Sequence, residues 1–294
     1  MNADDTRVPV SGSTLRKIAA ALSLLKQSPV ALVGAGLILF WVLMAIFAPL
    51  VAPFDPVQQI KPFLPPGTID GEGRLFLFGT DQLGRDVFSR VVHGSRTVLT
   101  YGVTATLSAY VVGSVAGVCA GYMRGWVDEI LSFIANVILS FPVILLYIII
   151  ITTIGASGLN IVLAVTFASA PGIMRIVRGL TLDLATRDYV AAAHTRGEGA
   201  LWVMFVEILP NARGPLIVDA CLRLGYVAIT IGVLGFLGLG LPPPTPDWGN
   251  MINETRSLAM SFPHMILFPC IAISSLVLGF NLLADGVREI MQRD

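Results

Sequence analysis

The side chains in this chain that could do chemistry are few and widely separated. Its lysines are Lys17, Lys26 and Lys61, and no G-x-x-x-x-G-K-[ST] run occurs. Without that loop the chain cannot by itself cradle ATP phosphates and hydrolyse them, so any nucleotide chemistry must come from another chain. No H-E-x-x-H, G-x-S-x-G or C-x-x-C pattern is present, and His93, His194 and His264 fall on different segments. A hydrolase, a zinc enzyme and a dithiol redox enzyme all lack their spacing. One close pair of opposite charges sits at the edge of an apolar run: Asp219 and Arg223, four residues apart. On a helix they share a face and can pair, and their place near one end of the run favours a structural pair over a transport site. Ser132, Asn136, Ser140, Thr166, Ser169, Thr230 and Asn281 are mild polar positions in apolar surroundings. They either line a path or bond between helices.

The elements that must position these groups follow from composition. Hydrophobic residues make up 55% of the 294 residues and charged ones 13%, with mean hydropathy +0.79. Soluble domains carry about 25% charged residues, so this is an integral, all-α membrane protein. A net charge of zero gives no support to a nucleic-acid partner. Cys119, Cys221 and Cys270 lie in apolar runs and read as small packing residues.

Uncharged runs set the spans. Residues 1–29 are a polar segment with Arg7, Arg16, Lys17 and Lys26, expected to be cytoplasmic, and 30–52 is the first span, long enough for the about 20 residues a crossing needs. Residues 53–96 form an outer loop, proline-rich at first; in its second half Val87, Phe88, Val91 and Val92 share a face, predicting a helix lying in the membrane interface. Residues 97–285 hold five further spans. Val98 to Met123 is dense in Gly, Ala and Ser, which suits close helix packing. Ile130 to Met174 is too long for one crossing and is divided at Ile154 to Asn160, with Pro142 expected to kink the third span. Spans five and six follow within Leu216 to Leu241 and from Phe262 to Leu283, and 286–294 is a tail. Arg175, Arg178, Arg187, Arg196 and Arg213 cluster around one short loop, which places that loop, and with it both termini, on the cytoplasmic side.

That loop, 187–212, is polar and Gly-punctuated between two apolar stretches. Tyr189 to Arg196 reads as one short helix, Gly197 and Gly199 as a bend, and Ala200 to Leu209 as a second helix ended by Pro210. The small side chains of Ala191, Ala192 and Ala193 would let a partner approach closely.

Ala192, Ala193, Gly197, Leu209, Pro210 and Asn211 resemble the cytoplasmic EAA loop of ABC importer permeases. Ala191 stands where that pattern has Glu, and Glu207 where His is common. Two distant runs, GTDQLGRDVFSR after the first span and LPPPTPDWGNMINE before the last, resemble the dipeptide and oligopeptide branch of that family. The resemblance implies the six-helix type I importer fold with a coupling elbow. It implies one of two homologous permease subunits, working with two cytoplasmic ATPase subunits that carry ATP and Mg and with a periplasmic or lipid-anchored solute-binding protein. No cofactor or metal is expected on this chain itself. The elbow contacts implied are Asp188, Tyr189, Ala192, Ala193, Arg196, Gly197, Leu201, Phe205, Pro210 and Asn211. Facing the binding protein would be Asp81, Arg85, Asp86, Pro243, Asp247 and Trp248, and candidates for the path are Ser132, Asn136, Ser140, Thr230 and Asn281. The cargo implied is di- or oligopeptide; relatives of this type also carry nickel complexes, glutathione or opines. Outside the family, an ion-coupled secondary carrier is the rival, and it suffers from the scarcity of ionisable groups at mid-membrane depth.

Overall fold

The computed structural model describes residues 28–293. Of the N-terminal segment predicted above, residues 1–27 lie outside the described part, as does Asp294. Helix α1 (Pro29–Ile46) is capped by Ser28, whose hydroxyl accepts from the Ala31 amide. A short turn of helix, α2 (Ala48–Val51), leads to a loop with a two-stranded antiparallel ribbon, β1 (Thr68–Ile69) and β2 (Leu75–Phe76). Then come α3 (Val87–Met123), α4 (Gly125–Ser140), α5 (Val143–Ile154) and α6 (Gly158–Leu184). Two short helices, α7 (Asp188–Thr195) and α8 (Ala200–Asn211), precede α9 (Arg213–Phe236). The chain ends with α10 (Trp248–Thr255) and α11 (His264–Arg293).

Five of these helices are long and apolar enough to cross a membrane: α1, α3, α6, α9 and α11. The pair α4 and α5, bent by 90° at its break, brings the number to six if it is counted as one crossing. The predicted kink at Pro142 is therefore a full break. Pro142 has no amide to donate and holds Phe141 in extended backbone (φ −84, ψ 140), so α4 cannot continue into α5. Pro171, by contrast, lies inside α6 without interrupting it.

The separate interfacial helix expected before the second span is also corrected. Residues 87–96 are the first turns of α3, a helix of 37 residues and so about 55 Å long, well beyond the about 30 Å of hydrocarbon it must cross. Val87, Val91 and Val92 do share a face, but they bury it against the rest of the protein.

Packing is glycine-led. Gly113, Gly117 and Gly121 recur every four residues on α3 and meet α6 directly: a Cβ on Gly113 would lie 2.7 Å from the Ala170 carbonyl oxygen, and one on Gly117 2.6 Å from that of Met174. Such a stripe lets two backbones approach, which is how helices gain dispersion energy in lipid, where no hydrophobic effect drives them together. Helices α1 and α11 run antiparallel through the same device, with Gly34 against Leu283 and Gly279 against Leu37. These directions put α7 and α8 at one end of the bundle, the elbow end, and the ribbon and α10 at the other, the loop end.

The elbow and a buried ionic cluster as the candidate functional sites

At the elbow end, α7 closes on Gly197 by a pattern of backbone bonds. The Glu198 amide donates to the Ala193 carbonyl at 3.1 Å and the Gly197 amide to that of His194 at 3.0 Å. This is a Schellman closure, and it needs a left-handed residue, supplied by Gly197 at φ +79. Nothing lies within 4 Å of where a Gly197 side chain would begin, so backbone conformation rather than crowding requires glycine there.

Helix α8 does not end at Pro210 as predicted. Its middle, Val203–Ile208, widens to π geometry, and the Leu209 amide reaches back to Met204. Pro210 lacks the amide that would serve the fourth carbonyl before it, and the wider turn accommodates its ring. A single residue, Ala212, then separates α8 from α9.

The elbow has two faces. Val190, Ala193, Val203, Met204 and Ile208 are buried in one cluster with Ala109 and Val118 of α3 and Ile173 and Val177 of α6. Ala193 is thus a core residue of this chain and not a contact offered to a partner, whereas Ala192 is exposed. The outer face carries Leu201, Trp202, Phe205 and Val206, exposed by 70%, 49%, 37% and 46%. Sequence reasoning singled out Leu201 and Phe205 but missed Trp202 and Val206, which the helical spacing of Leu201, Trp202 and Phe205 could have revealed. Arg196 Nη2 donates to Glu207 across the bend at 2.9 Å, and Asn211 Nδ2 to the Glu207 carbonyl at 2.6 Å. Asp188 and Pro210 are exposed. Tyr189 is half-buried with its hydroxyl unpartnered, and burial pushes its pKa up.

At the loop end, charged residues gather inside the protein. Asp81 accepts from the Leu83 and Arg85 amides, each at 2.9 Å, and from Arg85 Nε at 2.6 Å. Arg85 Nη2 reaches Glu254 at 2.5 Å, and Arg90 lies 3.5 Å from Glu254 and 3.8 Å from Asp81. Arg90 is 1% exposed. A charge so buried is tolerable only with opposite charges around it, and here two carboxylates supply them, Asp81 from the loop before α3 and Glu254 from α10. Asp86 caps α3 by accepting from the Ser89 amide at 2.7 Å, and Asp247 caps α10 by accepting from that of Gly249 at 2.8 Å. Burial raises the pKa of both carboxyls, that of Asp247 to about 6.

Five of the six residues expected to meet a binding protein are therefore buried: Asp81, Arg85, Asp86, Asp247 and Trp248. Their side chains build the loops instead of protruding from them. Pro243 alone is exposed.

The path candidates do not converge either. Ser132 donates to Asp128 at 2.9 Å, Asn136 accepts from Arg175 at 2.7 Å, and Ser140 donates to its own helix at Val137. Asn281 faces Gly225, between α9 and α11. Thr230 lines a cavity of about 300 Å³ bounded by α3, α4, α5, α6 and α9, together with Arg223, Tyr226 and Ser169. Asp219 and Arg223 do pair, Nε to Oδ2 at 2.6 Å, and Tyr110 donates its hydroxyl to the same oxygen.

Comparison with known proteins identifies the family and supports the fold. Residues 109–294 match the family described as binding-protein-dependent transport system inner membrane component, and residues 19–66 match the N-terminal TM domain of oligopeptide transport permease C. The chain is 36% identical over 268 residues to the dipeptide transport system permease protein DppC of Haemophilus influenzae, covering 90% of this chain and 91% of the relative. It is 38% identical to the glutathione transport system permease protein GsiD of Pectobacterium atrosepticum, covering 88% and 85%. Among solved structures, an inward-facing MetNI methionine ABC transporter aligns with TM-score 0.55 at 18% identity, over 68% of this chain and 96% of that one, which supports the fold. The chain belongs to the inner-membrane permease components of binding-protein-dependent ABC transport systems.

Proposed function

We propose that this chain is one of two permease subunits of an ATP-driven importer of small peptides, with the elbow end in the cytoplasm and both termini there. The observation that carries this reading is the two-faced elbow. Its inner face is locked into α3 and α6, while its outer face presents Leu201, Trp202, Phe205 and Val206 to solvent. An exposed apolar knob of this kind is a protein contact surface, here for a groove in a separate ATPase subunit that binds ATP and Mg. A second, homologous permease completes the path, and a solute-binding protein delivers cargo at the loop end, where Pro243 is the exposed member of the predicted set. Closure of the ATPase pair on ATP would move the elbow as a rigid body and α6 and α9 with it.

Peptide cargo is supported by the dipeptide permease relative, and glutathione, the cargo in the name of the other, is the second reading. Replacing Leu201 with Cys should give a disulfide or short cross-link to the ATPase subunit in the assembled transporter. Reaction with water-soluble reagents from the periplasmic side instead would defeat the assignment. Identifying the ligand that co-purifies with the cognate binding protein separates the two cargo readings.

A further inference from the structure

The cavity on α9 is used neither by the elbow nor by the loop-end cluster. It is bounded by five helices, and its polar wall is Arg223, Tyr226 and Thr230 from α9, Ser169 from α6, Tyr147 from α5 and Thr106 from α3. Arg223 stands deep in the bundle. It is residue 223 of a helix that begins at Arg213, about 15 Å along at a rise of about 1.5 Å per residue. It also packs beside Gly172, which is one turn farther from the elbow than Arg175.

The guanidinium is held from one edge. Nε donates to Asp219 at 2.6 Å, and Tyr110 donates to that same carboxylate from α3. The other edge turns to the cavity: a Cβ on Gly172 would lie 3.4 Å from Nη2 and 3.5 Å from Nη1. Gly172 therefore puts no side chain of its own over the terminal nitrogens, and Arg223 is itself one of the residues lining the cavity. Arginine offers five N–H donors in a planar fork, and an anchor at Nε leaves the Nη1 and Nη2 edge with the spacing of a carboxylate's two oxygens.

We propose that this cavity is a relay site for carboxylate-bearing cargo, in which the Nη1 and Nη2 edge of Arg223 takes a cargo carboxylate and the hydroxyls of Thr230, Ser169 and Tyr226 take its neighbouring polar groups. The proposal rests on the permease reading above and adds to it the chemical class of ligand. Asp219 has two roles. It pre-orients Arg223, and its own charge offsets most of the attraction for the incoming anion. Binding is thereby kept weak, as release onward along a path requires.

The test uses the assembled transporter in membranes, with Cys119, Cys221 and Cys270 replaced by Ala and Thr230 replaced by Cys. The probes are a sulfonate-bearing and a trimethylammonium-bearing methanethiosulfonate of similar size. With Arg223 present the anionic reagent should react about tenfold faster than the cationic one. In Arg223→Gln the ratio should fall below one, because the unpaired Asp219 then favours the cation, and in Asp219→Asn with Arg223→Gln, which strands no carboxylate, it should be about one. A peptide with a free C-terminal carboxylate should slow labelling in the Arg223 protein and its C-terminal amide should not, a readout that needs no variant at position 223. Equal reagent ratios with and without Arg223, or equal protection by acid and amide, would overturn the proposal. ATP-driven uptake is measured in parallel. Uptake with equal labelling ratios in the presence and absence of Arg223 defeats the carboxylate site alone, while absence of any ATP-driven peptide uptake by the transporter carrying its own Thr230 and cysteines defeats the permease reading itself.

Discussion

The indole Nε1 of Trp248 donates to the backbone carbonyl of Val91 at 2.8 Å, joining residues 157 apart in the sequence. Trp248 is fully buried; its ring lies over Gly94 and meets Trp41 edge-on at a centroid distance of 4.9 Å. Trp41 in turn donates to Ser275 at 2.9 Å. Helices α1, α3, α10 and α11 are thus tied at the loop end through two indoles.

Replacing Trp248 should loosen all four helices at once. Trp248→Ala is expected to cost about 3–5 kcal/mol through the cavity left behind, and Trp248→Phe about 1–3 kcal/mol through the smaller ring and the lost indole bond, the Val91 carbonyl keeping its bond within α3. Thermal unfolding of the detergent-solubilised protein should rank native, Phe, then Ala. An unchanged midpoint for the Ala variant would contradict the packing described.

Gly117→Ala adds one methyl where the Met174 carbonyl stands 2.6 Å away, and that obstacle is backbone. Overpacking of this kind costs about 1–3 kcal/mol, because α3 and α6 must move apart. Gly36→Ala is the control, since nothing lies within 4 Å of a Cβ there. Folded yield should drop for the first substitution and hold for the second.

Asp247 gives a pH dependence of defined sign. Burial raises its pKa from an ordinary value of 3.8 to about 6, so between those limits the folded state holds more protons than the unfolded one. Stability therefore falls as pH rises through that window and levels off above it, by up to roughly 3 kcal/mol. Thermal midpoints measured from pH 4 to pH 7 should show this decline. In Asp247→Asn the slope should flatten, because an amide has no proton to lose.

Substitutions at Gly197 should follow backbone preference and not size. A left-handed conformation costs an ordinary residue about 1–2 kcal/mol, less for Asn and more for a β-branched side chain. ATP-driven uptake should fall in the order Gly, Asn, Val, while the amount of protein in the membrane stays constant. Full uptake by Gly197→Val would remove the closure from the mechanism.

The elbow was legible in the sequence because its signals are local. Charged residues interrupt an apolar chain, and Gly197 marks the bend within one turn of its true place. Spans were legible from uncharged runs for the same reason. The burial of Arg90 was not, because one of its two compensating carboxylates, Glu254, is 164 positions away and only the fold brings the two together. On its own, Arg90 beside Val91 and Val92 reads as the wet face of a surface helix. Asp81, Asp86 and Asp247 misled in the same way: polar loop residues suggest contact with a partner, while these turn inward to hold amides. Pro210 shows a third kind of miss, in which a residue that normally stops a helix is absorbed by a widened turn.

Helix α6 ends at Leu184 and α7 begins at Asp188; α8 ends at Asn211 and α9 begins at Arg213. The bend is spliced into the bundle with almost no play on either side, so a push on it cannot be absorbed in a slack tether and must arrive at both long helices in the same stroke. Gly172 on one and Arg223 on the other face each other farther along that shaft. A small tilt near the splice would therefore change the gap where cargo is proposed to pause.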